Sequence, residues 1–273
     1  MSELPSYIVP SYHPAYLLRN QTLTKPTIED FRKAARIHET GPTRIPIAER
    51  ENGSMADAAL FPLLDDVEGF FKGWGRTHTR MSIDFEATMT GIPWCVGFWP
   101  CDSEDQVLTT QGICIPFHKQ GGENYWSPRD HEATMWLLKE YLEDPTQPKV
   151  GQNWVGYDGG YNDHGWEESD HSLAYRAFGI RVRGLVLDTM VAHHAVSPEL
   201  PHSLAFQSSL CTDLGAYKLE VHATSSVDDE KEDDAQKGIQ NVKDVDDRVL
   251  RGYCLRDCFA AGLSACELER VMA

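Results

Sequence analysis

The chain has 273 residues, 41% of them apolar, and a formal net charge of -17. That size and apolar content suffice for one large domain or two small ones around a real core. The charge counts against a protein that grips nucleic acid unaided, because phosphate binding draws most of its strength from Lys and Arg.

No run of about 18 apolar residues is present, so no membrane span or membrane partner is expected. The opening Met-Ser-Glu-Leu-Pro-Ser lacks the basic-then-apolar layout of a secretory signal, and the expected location is cytoplasmic. Seven scattered cysteines without a C-x-x-C pair fit reduced, buried, inert thiols rather than a structural zinc or an iron–sulfur cluster.

Residues 1–78 are rich in Pro, Thr and charge, with helices expected only at 28–37 and 58–71. From Arg80 the pattern changes. Three short strands, 81–86, 94–99 and 111–117, suggest an antiparallel meander. Ala133, Trp136, Leu137 and Tyr141 recur at helical spacing and predict a helix over 128–143. A fourth strand is expected at 149–155, a helix at 161–178, a fifth strand at 184–187 and a helix at 188–195. Residues 228–247 hold nine acids against Lys231, Lys237 and Lys243, which predicts a solvated acidic loop, drawn at 222–247. A long helix is expected over 246–272, which has no Pro. The sum is an α/β fold: a mixed five-stranded sheet flanked by helices, behind an irregular and helical N-terminal extension.

Asp-x-Glu is a weak signal in so acidic a chain, but Asp84 and Glu86 alone fall inside a strand pattern. Residues two apart on a strand share a face, so these two project together while Ile83 and Phe85 face the other way. Tyr253-x-x-x-Asp257 occurs once and puts a phenol and a carboxylate on one helix face. Carboxylates in this order suit a site for hard divalent ions, which prefer oxygen ligands and need several converging negative charges to stand about 4 Å apart.

The ordered set Ser82-Ile83-Asp84-Phe85-Glu86, Val150-Gly151-Gln152-Asn153 through Tyr157-Asp158, Asp188-Thr189-Met190, His202-Ser203-Leu204 and Tyr253-Cys254-Leu255-Arg256-Asp257 resembles the DEDD 3′–5′ exonucleases. It is most similar to the tyrosine subclass found as the proofreading domain of family-A DNA polymerases, and it covers about 80–273. The resemblance implies a ribonuclease-H-like fold and a two-metal site holding Mg²⁺ or Mn²⁺. Asp84, Glu86 and Asp257 would hold the tighter ion, with Asp84 bridging to the second. Asp158 would hold the second through water, and Tyr253 would orient the attacking hydroxide. Asn153, Thr88, Gln152, Tyr157 and His202 would line the substrate. The implied partners are a single-stranded DNA 3′ end and a DNA polymerase domain or subunit, in a bacterial or virus-infected cell. The same resemblance admits an exoribonuclease or a non-catalytic docking module as rivals.

One departure from the family pattern is that four residues, 154–157, separate Asn153 from Asp158 where many members have three. Asp188 is expected to cap a helix or brace the site, and Asp163 to lie at the surface. His193, His194 and His202 are expected to be structural or substrate-facing, and Trp154, Tyr161 and Phe206 are candidate stacking surfaces or core. Residues 1–40 carry a second resemblance. Tyr12-His13-Pro14-Ala15-Tyr16-Leu17-Leu18-Arg19-Asn20 is similar to the His-Pro-x-x-Leu-Leu-Arg motif of bacterial uracil-DNA glycosylases. It implies the tail of a glycosylase-like domain, with His13 in an active-site position. The expected division is thus 1–78 for the extension and 79–273 for the exonuclease domain.

Overall fold

The computed structural model describes residues 9, 11–41, 59–74, 77–154, 160–162, 165–167, 169–212 and 242–273. Its helices are α1 (Pro14–Leu17), α2 (Thr24–Thr40), α3 (Leu64–Trp74), α4 (Glu104–Thr109), α5 (Pro128–Glu143), α6 (Asp170–Phe178), α7 (Thr189–Val196), α8 (Leu204–Cys211) and α9 (Asp247–Met272). The strands are β1 (Met81–Ala87), β2 (Pro93–Pro100), β3 (Ile113–Pro116), β4 (Lys149–Gly151), β5 (Gly160–Asn162), β6 (Gly165–Glu167) and β7 (Leu185–Asp188).

The main sheet has the order β3-β2-β1-β4-β7. The first three strands form the antiparallel meander, and β4 and β7 add in parallel. This is the α/β, ribonuclease-H-like arrangement expected: five mixed strands between helical layers. Alternation along β1 and β2 sorts side chains to two faces. Ile83, Phe85, Val96 and Phe98 enter a core with Phe71, Leu138, Tyr141 and Trp154. Cys95, Trp99 and Cys114 turn to the opposite face, where Cys254, Cys258 and Phe259 of α9 cover them.

Most of α9 is buried, Leu250 to Leu268 included, and Asp246 starts it by accepting from the amides of Arg248 and Val249. Arg251 on this helix is 1% exposed. It pairs with Asp247 at 3.0 Å, donates to the Leu60 carbonyl at 3.1 Å and lies over the rings of Phe61 and Tyr125. A buried guanidinium is tolerated only when its donors and its face are so occupied. On the other face, Val67 and Phe71 of α3 join the core beside Met81 and Phe98.

Two expectations need correction. The helix drawn at 161–178 begins only at Asp170, after the β5–β6 hairpin. Its start signal is Ser169, whose hydroxyl accepts from the Ser172 amide. The acidic segment is also docked at its end: Val242 and Val245 are buried, and the Gln120 and Gly121 amides bond to Asp247 and to the Lys243 carbonyl. Residues 213–241 lie outside the described residues.

Candidate metal-binding active site

The antiparallel register builds the site in two rows. Asp84 lies opposite Gly97, and Glu86 opposite Cys95. Gly97 in turn lies opposite Cys114 on β3. Both acids therefore face α9, on which Tyr253 and Asp257 are spaced one turn apart and are 3% and 5% exposed. Register between strand and helix is fixed where the Cys254 thiol donates to the Asp84 carbonyl at 3.5 Å. Carboxylate oxygens of Asp84 and Glu86 and the Cys254 sulfur all lie within 4.8 Å of one another.

Asp84, Glu86 and Asp257 are thus brought together. Burial pushes the Asp84 carboxyl well above the usual carboxylate range, and repulsion from Glu86, Asp257 and Asp170 pushes it further. Asp84 is half-buried, and Glu86 and Asp257 beside it are buried, so these acids are poorly hydrated.

Asp170 is the residue that the sequence reading missed. In the first turn of α6, its Oδ2 accepts from the Phe85 amide at 3.2 Å. That bond ties it to the strand residue between Asp84 and Glu86. Burial raises its carboxyl to about 7, opposed by the Phe85 bond and reinforced by Asp188 and Asp257. Asp158 and Tyr157 lie outside the described residues, as does Asp163. The usable signal for Asp170 was Ser169-Asp170 ahead of Leu173 and Ala174, a helix start that aims an acid at the strand ends.

Asp188 performs the expected bracing. It caps α7 through the Met190 and Val191 amides and also accepts from the Asn153 amide at 3.1 Å. Asn153 has φ 59°, in the left-handed region that Asn tolerates better than most residues. The chain therefore turns sharply after β4, with Asp188 holding the turn. Gln152 accepts from Thr189 and from Gln207 Nε2 and donates to the His202 carbonyl at 2.8 Å. Thr88 closes the β1–β2 turn by accepting from the Ile92 amide at 3.0 Å.

His202 joins an imidazole cluster: Nδ1 is 2.8 Å from His193 Nδ1, and Nε2 is 2.9 Å from His194 Nδ1. Burial and the neighbouring His202 push His193 down to about 4. Trp154, a candidate stacking surface, is 1% exposed and belongs to the core. Its indole fills the space beside Gly151, where an added Cβ would fall 2.0 Å from the ring. The indole Nε1 lies near the Asp170 carboxyl but outside ordinary hydrogen-bond geometry. Phe206 is half-buried and Tyr161 has no described side chain. His13 is exposed and caps α1 by accepting from the Ala15 amide at 3.1 Å.

Hard oxygen donors crowded into a poorly hydrated pocket fit divalent cations, since the mutual repulsion that raises these carboxyl groups is relieved by positive charge. Among the described residues, no helix is long and apolar enough to cross a membrane.

No protein-family model matches the chain, and no curated protein matches it. Among solved structures, it is similar to the "POL domain of Pol1 from M. smegmatis complex with DNA primer-template and dNTP", with 16% sequence identity and a TM-score of 0.38. The match covers 75% of this chain and 26% of that one, so this chain spans about a quarter of that chain's length. A superposition so loose adds nothing to what the side chains themselves display.

Proposed function

We propose that this chain is a metal-dependent 3′–5′ exonuclease that hydrolyses single-stranded DNA ends to nucleoside monophosphates. The observation that carries the reading is the grouping of Asp84 and Glu86 on β1 with Asp170 of α6, bonded to the Phe85 amide between them, under the helix α9 that carries Asp257. Two Mg²⁺ or Mn²⁺ ions bound there would supply an activated water and neutralise charge at the scissile phosphodiester and the leaving 3′ oxygen.

The protein's own part is to hold and orient. Asp84 and Glu86 lie closely packed and would hold one ion together with Asp257, whose charge reaches Asp84. Asp170, which its bond to the Phe85 amide fixes against the same strand, would add a further carboxylate beside them, and Asp158 would hold the second ion through water, as the family resemblance implies. Tyr253, one turn before Asp257, would orient the attacking water. Thr88 and Asn153 lie just past the carboxyl ends of the neighbouring strands β1 and β4, where ligands of α/β sheets are held, and would contact the terminal nucleotides. With a net charge of -17 the chain relies on the ions, and on a polymerase domain or subunit, to draw in the DNA.

The test is digestion of a 5′-labelled single-stranded oligonucleotide, matched DNA against RNA, with Mg²⁺, with Mn²⁺ and with EDTA. A ladder shortening from the 3′ end, dependent on divalent ions and stronger on DNA, is the expected result. Unchanged oligonucleotides under every condition would refute it.

A further inference from the structure

Beside the acids lies a second donor set of opposite chemical character. Cys95 on β2, Cys114 on β3 and Cys254 on α9 have sulfurs all within 4.8 Å of one another, and each residue is 0% exposed. They share thiol hydrogen bonds, and Cys254 shares another with Cys258 one turn on. Gly97 makes the space. A Cβ there would lie 2.7 Å from the Cys258 sulfur and 3.0 Å from that of Cys254, so no larger residue fits without moving the sulfurs.

Three sulfurs bound to one ion at bonds of about 2.3 Å stand roughly 4 Å apart. The observed envelope needs only small side-chain rotations to reach that spacing. Thiolates select soft ions such as Cu⁺ and its heavier d¹⁰ relatives over the hard ions suited to carboxylates. Three rather than four sulfurs in mutual reach favours a three-coordinate site over the four-coordinate zinc pattern.

We propose that Cys95, Cys114 and Cys254 form a site for one thiophilic d¹⁰ metal ion, bound by three thiolates and adjoining the carboxylate site at Cys254. Three S–H protons leave to solvent as three S–metal bonds form, and no oxidant takes part. The ion would staple α9 to β2 and β3. Because the sulfurs are fully enclosed, loading accompanies folding or a transient lifting of α9.

The experiment uses Cd²⁺ as the probe on the reduced full chain. Thiolate-to-metal charge-transfer absorbance in the ultraviolet reports sulfur ligation, and Cd²⁺ held by Asp84, Glu86 and Cys254 would give a band that survives Cys95→Ser and Cys114→Ser. We expect the band to saturate at one ion per chain. It should be lost in Cys95→Ser and Cys114→Ser, and kept in Cys266→Ser and in Asp84→Asn. The last variant separates this site from the proposed nuclease centre. Should the serine variants misfold, alkylation of the wild-type chain with and without Cd²⁺, in a urea concentration at which all three thiols of the metal-free chain are labelled, followed by peptide mapping, provides the same decision. Protection of Cys95, Cys114 and Cys254 by Cd²⁺ upholds the site. Protection of other cysteines, or a band indifferent to both serine substitutions, overturns it.

Discussion

Under α9 the same two sheet rows carry opposite chemistries. On β1 they present Asp84 and Glu86. On β2 and β3 they present Gly97, Cys95 and Cys114. The acid half has partial access to solvent through Asp84, whereas the sulfur half has none. One helix closes both, with Cys254 within reach of either set. The contrast teaches that donor type and access divide this face into a half suited to reaction and a half suited to packing.

The largest expected effect breaks the reactive half. Asp84→Asn keeps shape but removes a charge shared by both proposed ions. The loss of several kcal/mol of transition-state stabilisation corresponds to a rate fall on the order of a thousandfold, measured as single-turnover cleavage with circular dichroism as the control for folding. A rate near that of the wild type would remove Asp84 from the chemistry.

Asp170→Asn against Asp158→Asn sharpens which acid completes the set. The first should slow cleavage by about a hundredfold if Asp170 stabilises the transition state directly, and the second by as much if Asp158 does. A variant that cleaves near the wild-type rate would remove its acid from the role.

On the packed half, Gly97→Ala forces a methyl against the sulfurs. Overpacking of this kind costs about 1–3 kcal/mol, visible as a lower denaturation midpoint. An unchanged midpoint would mean that the sulfurs have more room than the structure gives them.

The last effect is one of pH. The Asp170 carboxyl rises from an ordinary 3.8 to about 7 on folding, and Asp84 shifts the same way. Between those values the folded chain keeps a proton that the unfolded chain has lost, so the contribution is full below the window and declines as pH rises through it. Thermal melts in EDTA should therefore drop from about pH 5 to about pH 8, and saturating Mg²⁺ should reverse the drop. Flat melts in EDTA would show that these carboxyl groups are less crowded than described.

Much of this face was legible from local pattern. Alternation put Ile83 and Phe85 opposite Asp84 and Glu86, and turn spacing put Tyr253 and Asp257 on one side of α9. The helix over 128–143 was readable because apolar period and the Ser127 cap agree. Asp170 was obscured when 161–169, with Asn162 and Gly165, was absorbed into the helix that begins only at Asp170, although the stretch carries no helical period. The sulfur cluster had no local signature at all, because its members come from three elements and meet only through register. The Gln152–His202 bond likewise depends on packing of α7 and α8 rather than on spacing. Val242 and Val245 were overlooked among acids that dominate the composition around them.

The dependence on α9 also sets an order of events. Asp84 and Asp257 are separated by most of the sequence, so their meeting is among the last and slowest contacts to form. A nascent chain that has exposed β1 through β7 but not yet Tyr253 lacks the helix that closes over Asp84 and Glu86, and the proposed centre would be complete only once α9 docks.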